Sequence, residues 1–366
     1  MLDQVHFEEI KSLRDVTIDL ARFTVLVGPN GAGKSTVLDQ IARLCELSVP
    51  DPADPLVTGT FVRVLQHVDP ERRRGSDGTM VWSGRAKTNS LRVSFESGPA
   101  PYYDRARIRA TTLGKDTTLD SKETVNRRPL ETSLAESFSW RSLRLRLLPG
   151  PLAQPSPLLV GPVELQANGY GLASLLALIQ LNDSKRLEAI ETDLRAVVPH
   201  FERLHFRPTK VDVVLPEAPS RVVSQGGYAL DLSFRGVGRI PAHQVSDGTL
   251  LALGLLGAAH WHELPDIILL DDIDHGLHLS AQYNLIKAIR RVLDARPELQ
   301  IVCTTHAPVL LDSFEVDEVR VLALDKDGAT RVKPLSAHPD LERWRGAMGT
   351  GELWANLGED WVLSDA

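Results

Sequence analysis

Nine consecutive residues have the composition and spacing of a loop that binds phosphate groups. They are Gly28, Pro29, Asn30, Gly31, Ala32, Gly33, Lys34, Ser35 and Thr36, and the first eight follow the pattern G-x-x-x-x-G-K-[ST]. Glycines let successive backbone N–H groups point into one concave anion site, and a following helix adds the partial positive charge of its N-terminus. We predict that this loop binds the phosphates of ATP, with a solvent-facing Lys34 reaching the β- and γ-phosphates and Ser35 ligating Mg²⁺.

A pair of carboxylates follows an apolar run later in the chain. Ile267 to Leu270 are all aliphatic, and Asp271 and Asp272 come directly after them. A continuous apolar run of this length is typical of a buried parallel strand, and such strands present functional residues at their carboxyl ends. We predict that Asp271 holds Mg²⁺ or its water and that Asp272 orients the water that attacks the γ-phosphate.

The elements around these residues follow an α/β pattern. A buried strand, Phe23 to Val27, leads into the phosphate loop, and apolar residues then recur at helical spacing. Later in the chain the predicted elements are a helix from Asp247 to His262, a strand from Ile267 to Leu270, a helix from Leu279 to Leu293, and strands from Ile301 to Thr305 and from Val319 to Leu324.

Between these two parts lie a β-rich segment and a proline-rich segment. Short alternating runs between residues 61 and 148 predict an antiparallel β insertion. Five prolines between Pro149 and Pro162 predict a boundary, because proline is excluded from helix interiors and central strands. Two helices, Gly171 to Leu181 and Ser184 to Val198, and strand-like runs up to Ile240 should follow.

Four ordered motifs resemble those of ABC-type ATPases of the RecF-like and OLD-like AAA group, which is related to the SMC proteins. Val245 to Thr249 is similar to the signature motif in its SDGT form, and Asp274 to His278 is similar to the D-loop. Thr304 to Pro308 resembles the segment with the switch histidine, and Asn168 to Val198 resembles the helical region. The resemblance implies an α/β fold: a P-loop NTPase with an ABC-type ATPase head, an antiparallel β insertion in the first lobe and a helical subdomain.

Five segments follow from the patterns and the resemblance together. They are an N-terminal ATPase lobe (1–60), an Arg-rich β insertion (61–150), a helical region with connecting strands (151–240), a second ATPase lobe (241–330) and a Trp-rich tail (331–366). In the tail, Trp354 and Trp361 lie among apolar residues that either cover the core or form a docking surface.

The resemblance also implies an active site shared between two protomers. In such ATPases two heads face each other head to tail, and the signature residues complete the γ-phosphate site of the other protomer. That role falls on Ser246 and Gly248, and His306 would sense the γ-phosphate. A local reading is compatible with this one: Ser246 and Asp247 would also cap the helix that begins there.

Two departures from the family pattern bear on hydrolysis. Asp272 stands where the family usually has a catalytic Glu, and its side chain is one methylene shorter. We therefore predict slow hydrolysis, because misplacing a water-orienting group by about 1 Å costs roughly a hundredfold in rate. The glutamine that normally links the γ-phosphate to the helical region has two candidates, Gln154 and Gln66.

Charge is unevenly distributed along the chain. The net charge is -7, yet residues 61–150 contain 17 Lys and Arg against 10 Asp and Glu. The arginines include Arg72 to Arg74, then Arg105, Arg107 and Arg109, and finally Arg141, Arg144 and Arg146. This basic window is either a footprint for nucleic acid or a set of solvated strand faces, so DNA is an open candidate partner.

Composition limits the classes of protein to consider. The chain has 366 residues, of which 43% are hydrophobic and 24% charged, as in ordinary globular proteins. The longest apolar stretch, Leu250 to Ala259, is too short to span a membrane, and the first residues lack the features of a secretory signal. Two isolated cysteines, Cys45 and Cys303, are typical of a reducing compartment, so we predict a cytoplasmic protein.

These observations predict an ATPase whose homodimer closes on ATP binding and opens on hydrolysis. The resemblance implies a DNA-linked process, either phage defence or DNA repair and maintenance, and a separate effector chain, because the residues after Leu324 are too few for a fused nuclease domain. One alternative is the nucleotide-binding subunit of an ABC transporter, which we would expect to carry LSGGQ-like signature residues. The other is a regulatory switch that binds ATP and scarcely hydrolyses it.

Overall fold

The structure is a computed structural model that describes residues 1–48, 79–86, 89–96, 105–112, 115–120, 140–158, 165–215, 218–261, 266–344 and 348–364. The chain divides into two compact units. The first comprises Met1–Arg144, Pro265–Leu270 and Glu298–Ala366, and the second comprises Leu145–Leu264 and Asp271–Pro297. Gln66 and Arg72 to Arg74 lie outside the described residues.

A six-stranded sheet, built almost wholly from the first unit, positions the phosphate loop. Its strands are β3 (Phe23–Val27), β8 (Ser142–Leu145), β13 (Ile267–Leu270), β14 (Gln300–Thr304), β15 (Val319–Leu324) and β16 (Thr330–Pro334), in the order β16-β15-β3-β14-β13-β8. Strands β13, β14, β3 and β15 are parallel, and only β16 runs antiparallel to its neighbour β15 among the pairs with a described register. Every residue of β3, β13 and β14 is buried, as expected when both faces of a sheet are covered.

The strand register brings three functional segments to one edge of this sheet. Leu270 pairs with Cys303, and Thr304 pairs with Leu26, so β3, β13 and β14 end close to the same level. The phosphate loop, the acidic pair and the His306 segment therefore each begin at this edge, where α/β folds usually place their sites.

A second sheet in the first unit confirms the antiparallel insertion. Its strands are β1 (Gln4–Ile10), β2 (Leu13–Asp19), β4 (Thr79–Ala86), β5 (Asn89–Glu96), β6 (Arg105–Thr112) and β7 (Lys115–Asp120), in the order β2-β1-β4-β5-β6-β7. The helix α1 (Lys34–Ser48) buries Val37, Leu38 and Ile41 in one apolar cluster with Phe7 of β1 and Val16 of β2. This packing fixes the helix whose first turn completes the phosphate loop.

The second unit combines five helices with a small sheet within its described part. The helices are α2 (Pro149–Ala153), α3 (Leu172–Asn182), α4 (Ser184–Val197), α5 (Asp247–His260) and α6 (Leu279–Ala295). A long hairpin of β10 (Phe201–Leu215) and β11 (Ala218–Phe234) is flanked by β9 (Ser156–Pro157) and β12 (Gly238–Pro241).

The proline-rich segment contains two short elements. They are the helix α2 and the two-residue strand β9. Pro149 is the first residue of α2, where the missing N–H would have no intrahelical partner, and Pro157 lies at the end of a strand of only two residues. These prolines therefore lie at element ends, and the domain boundary that the segment predicts stays a prediction.

The C-terminal tail packs in the first unit. It forms the short helices α7 (Leu341–Trp344), α8 (Thr350–Leu357) and α9 (Asp360–Leu363). Leu353 and Val362 are buried, and Asp312 accepts a hydrogen bond from the backbone N–H of Gly351 at 2.8 Å. These contacts favour the core-covering use of the tail.

Candidate functional site

The phosphate loop has a backbone that only glycine accommodates at its key positions. Gly28, Gly31 and Gly33 have φ values of 144°, 83° and 98°, in the left-handed region. A Cβ atom on Gly28 would lie 2.2 Å from the carbonyl oxygen of Leu322, and one on Gly33 would lie 2.7 Å from Oγ1 of Thr330. Gly28 and Gly33 are therefore required by both backbone angle and space, and Gly31 is required by its backbone angle alone.

Lys34 is buried, contrary to the solvent-facing position that the sequence predicted. Its residue exposure is 6%, and its Nζ donates to the carbonyl oxygens of Gly28 at 2.8 Å and of Pro29 at 3.0 Å. The physical reason is that the ammonium folds back along its own loop, where two carbonyl dipoles replace water. This position holds the positive charge of Lys34 against the loop. The next residue, Ser35, is exposed.

Two residues that sequence reasoning missed brace this loop. Thr330, at the start of β16, donates from Oγ1 to the carbonyl oxygen of Ala32 at 3.0 Å and lies 2.8 Å from Oγ of Ser12. The Thr330 backbone N–H also donates to the Ser12 carbonyl at 2.7 Å. No sequence pattern could have identified this brace, because Thr330 and Ser12 are 318 residues apart.

The acidic pair begins where β13 ends, as predicted. Asp271 and Asp272 are half-buried, and the backbone N–H of Asp271 donates to the Leu145 carbonyl at 3.1 Å. Asp272 has a φ of 53°, which places a non-glycine residue in the left-handed region. Asp and Asn are several-fold enriched in this conformation, and such residues are uncommon enough to mark candidate functional positions.

The His306 segment follows β14 in the first unit. Thr305 is buried, and its Oγ1 accepts from the backbone N–H of Ala307 at 3.1 Å. His306 itself is exposed at the edge of the sheet from which the phosphate loop also leaves. This placement is compatible with contact to a ligand of the loop.

Ser246 directly precedes helix α5, but its side chain does not cap the helix as the local reading predicted. Its hydroxyl lies 2.9 Å from Oγ1 of Thr249, and its side chain makes no hydrogen bond to the backbone at the helix start. The Ser246 hydroxyl is paired instead with the Thr249 hydroxyl, one turn along the helix. Ser246 and Asp247 are both exposed at this end of the helix.

Within the second unit, the start of α5 and the acidic turn are in direct contact. A Cβ atom on Gly248 would lie 2.5 Å from the carbonyl oxygen of Gly276, which itself has a φ of 70°. The structure therefore brings the signature-like residues and the turn after the acidic pair together through two glycines.

Gln282 holds that turn, and sequence reasoning also missed it. Its Nε2 donates to the carbonyl oxygens of Asp274 at 3.1 Å and Leu277 at 3.0 Å. Gln282 is 9% exposed and lies in the first turn of α6. A buried amide that satisfies two turn carbonyls fixes the backbone that follows Asp272.

The other candidates are placed as follows. Gln154 is exposed just after α2, and nothing in the described residues selects it over Gln66 as the linking glutamine. Arg144 donates from Nε to Oδ1 of Asp39 at 3.1 Å, and Nε of Arg141 lies 3.9 Å from Oδ2 of Asp266. These two arginines of the basic window therefore face carboxylates of the protein itself.

Ser35 of the first unit and Asp271 of the second unit each carry an oxygen donor of the kind that Mg²⁺ takes when it binds together with a nucleotide. In the described part of the chain, no three His, Cys, Asp or Glu residues form a metal-binding group. Mg²⁺ typically takes one or two protein oxygen ligands, and phosphates and water supply the rest. The exposed Ser35 and the half-buried Asp271 are donors of the right chemistry for this mode.

Comparisons with known proteins identify related chains over short segments. Septu protein PtuA of Bacillus thuringiensis is 33% identical over 69 residues, which is 19% of this chain and 17% of that protein. ABC transporter G family member 14 of Dictyostelium discoideum is 41% identical over 68 residues, 18% of this chain and 4% of that protein. The chain thus spans less than a fifth of the length of these curated relatives. Within the described residues, no helix is long and apolar enough to cross a membrane.

Among solved structures, the chain is similar to SMC heads. An SMC head bound to the C-winged helix domain of ScpA is 16% identical, with 93% of this chain and 99% of that chain covered and a TM-score of 0.49. The SMC head domain from Thermotoga maritima is 13% identical, with 91% and 98% covered and a TM-score of 0.43.

Family models match both parts of the chain. One described as "AAA domain" matches residues 4–147, and one described as "AAA domain, putative AbiEii toxin, Type IV TA system" matches residues 140–312. The two matches together run from residue 4 to residue 312, so segments that match AAA domains make up most of the chain, which confirms the AAA-family resemblance that its motifs carry.

Proposed function

We propose that this protein binds ATP with Mg²⁺ and hydrolyses it to ADP and phosphate. The observation that carries the proposal is the loop of three left-handed glycines between a buried strand and the start of α1. Such a loop cradles phosphates with its backbone N–H groups, from Gly28 to Thr36 in this chain.

Each site residue has a role that follows from its chemistry. The Lys34 ammonium exchanges the carbonyls of Gly28 and Pro29 for β- and γ-phosphate oxygens, and Ser35 and Asp271 hold the metal. Bound Mg²⁺ neutralises charge on the phosphate oxygens. Asp272 orients the attacking water, and His306 donates to the γ-phosphate as negative charge shifts during transfer.

The dimer is the second part of the proposal. Ser246 and Gly248 stand at the start of α5, where backbone N–H groups form an anion site for a γ-phosphate from another protomer. ATP binding would then close a homodimer, and hydrolysis would open it. We propose that this cycle acts in the cytoplasm on a DNA-linked process through a separate effector. The similarity to Septu protein PtuA supports phage defence over DNA repair and maintenance.

The 68-residue similarity to an ABC transporter favours a second candidate, the nucleotide-binding subunit of a transporter. Such a subunit would co-purify with a membrane protein, whereas the effector model predicts a partner without membrane spans. A switch that binds ATP but scarcely hydrolyses it is the third candidate, and its closed dimer would persist in excess ATP.

Removal of the Lys34 charge tests the proposal. Lys34→Ala should abolish ATP turnover and weaken ATP binding, whereas Lys287→Ala, at an exposed position of α6, should change neither. Circular dichroism of both variants verifies folding, which matters because Lys34 also bonds two loop carbonyls. Undiminished ATPase activity in folded Lys34→Ala protein would overturn the proposed function.

A further inference from the structure

The helical part of the second unit contains a cleft that the proposed ATPase does not use. Its volume is about 570 Å³, and it is lined by residues of α4, the last residue of α5, the final turns of α6 and Arg296 directly after α6. This volume lies within the range of roughly 300–1,000 Å³ that is usual for small-molecule sites.

The charges that line the cleft favour an anionic ligand. Four basic side chains, Lys185, Arg186, Arg291 and Arg296, line it against two carboxylates, Glu188 and Asp193. The lining therefore carries two more basic than acidic side chains. A surplus of basic groups in a concave site raises the local concentration of anions.

One of the two carboxylates, that of Asp193, is already paired with basic side chains of the protein itself. The side chain of Asp193 is 8% exposed; its Oδ1 accepts from Nε of Arg291 at 3.0 Å, and its Oδ2 lies 3.1 Å from Nε2 of His260. Burial acts to raise the pKa of Asp193, but the hydrogen bonds from His260 and Arg291 outweigh it and lower the pKa. Asp193 thus serves to hold Arg291 in place.

Three cationic groups keep donors for a ligand. Arg186 donates from Nη1 to the His260 carbonyl at 3.1 Å, and its Nε lies 3.3 Å from Oδ2 of Asp183. Its Nη2, the Nη1 of Arg291 and the ammonium of Lys185 have no acceptor among the described residues. The two guanidinium groups are held by their other hydrogen bonds, so little freedom is lost when they bind.

We propose that this cleft binds the phosphate group of a small phosphorylated molecule, at a site separate from the phosphate loop. Planar guanidinium groups match phosphate oxygens in pairs, and a nearby ammonium adds a point charge. A small ligand is favoured over a nucleic acid strand, because the Glu188 carboxylate in the lining would repel a continuous polyanion that runs past it.

Calorimetry with inorganic pyrophosphate tests this assignment. The titrated protein is the full chain with the Lys34→Ala substitution, so that the phosphate loop contributes little to pyrophosphate binding. We expect saturable binding at one site. Adding Lys185→Glu should weaken this binding about tenfold or more, because it replaces attraction by repulsion. Lys287→Glu is the matched control: it makes the same charge change at an exposed position of α6 outside the cleft, and affinity should change less than about twofold.

Other outcomes would overturn the proposal. The first is an absence of saturable pyrophosphate binding, and the second is an equal loss of pyrophosphate affinity in Lys185→Glu and Lys287→Glu. The third is that pyrophosphate does not bind but a short oligothymidine binds tightly and Lys185→Glu abolishes that binding. The last result would assign the cleft to nucleic acid. If Lys34→Ala protein does not fold, the same titration is done on the unmodified chain with excess non-hydrolysable ATP analogue, and the same results decide.

Discussion

Thr330→Val is the sharpest test of the brace under the phosphate loop. Valine keeps the branched shape of threonine but removes the hydroxyl that donates to the Ala32 carbonyl and contacts Ser12 Oγ. Thr330 is 1% exposed and Ala32 is fully buried, so water cannot replace the lost partner. An unsatisfied buried group costs about 1–3 kcal/mol, and we expect a loss of about 2 kcal/mol in the free energy of unfolding.

The same change should weaken nucleotide binding. The brace holds Ala32 and Gly33, whose backbone lies within the loop. Without it, the loop must be ordered when ATP binds, which lowers the affinity. If this ordering destabilises the bound state by about 1.4 kcal/mol relative to the free state, the affinity falls about tenfold. Thr330→Ser keeps the hydroxyl and should bind nearly as the unmodified chain does.

Thr24→Val is the matched control for this experiment. Thr24 is fully buried in β3, and its Oγ1 bonds the backbone N–H of Ala21 at 2.9 Å and the Ala21 carbonyl at 3.2 Å. It should lower unfolding free energy by a similar amount and leave nucleotide affinity unchanged. Denaturant unfolding and calorimetry with a non-hydrolysable ATP analogue give the two quantities. Unchanged affinity in Thr330→Val, or an equal loss in Thr24→Val, would refute the brace.

Three further changes test other contacts. Gly248→Ala puts a Cβ atom 2.5 Å from the Gly276 carbonyl and should lower the stability of a monomer without ATP by about 1–3 kcal/mol, measured by denaturant unfolding; an unchanged monomer would mean that this contact is not tight. Asp272→Asn should abolish turnover and leave stability nearly unchanged. Asp272→Glu should lower the stability by about 1 kcal/mol, because residue 272 has a positive φ, even if the longer side chain raises turnover. Phosphate release measures turnover and thermal melting measures stability, and full turnover in Asp272→Asn would exclude Asp272 as the water-orienting group. Truncation after Thr350 removes the buried Leu353 and Val362 and should lower the melting temperature or solubility; an unchanged melting temperature would favour a docking role.

Sequence patterns predicted the elements that depend on neighbouring residues. The run Ile267 to Leu270 predicted β13 because a strand covered on both faces must be apolar throughout, and the glycine spacing predicted the turn between β3 and α1. The Thr330 brace could not be predicted, because it depends on a contact between distant segments. The prediction that Lys34 faces solvent was wrong for a similar reason. Residue type fixes the charge of the side chain, whereas the loop backbone decides which acceptors the ammonium reaches.

The geometry around Asp272 gives the second unit a mechanical property that its sequence does not reveal. Asp272 is followed by a turn in which the His275 N–H donates to the Asp272 carbonyl at 3.0 Å, and Gln282 bonds two further carbonyls of that turn. The same turn presents the Gly276 carbonyl to Gly248, at a separation that leaves no room for a Cβ atom. Close-packed contacts of this kind transmit displacement instead of absorbing it. We therefore expect a shift at the first turn of α5 either to move the turn that follows Asp272 or to break the Gly248–Gly276 contact.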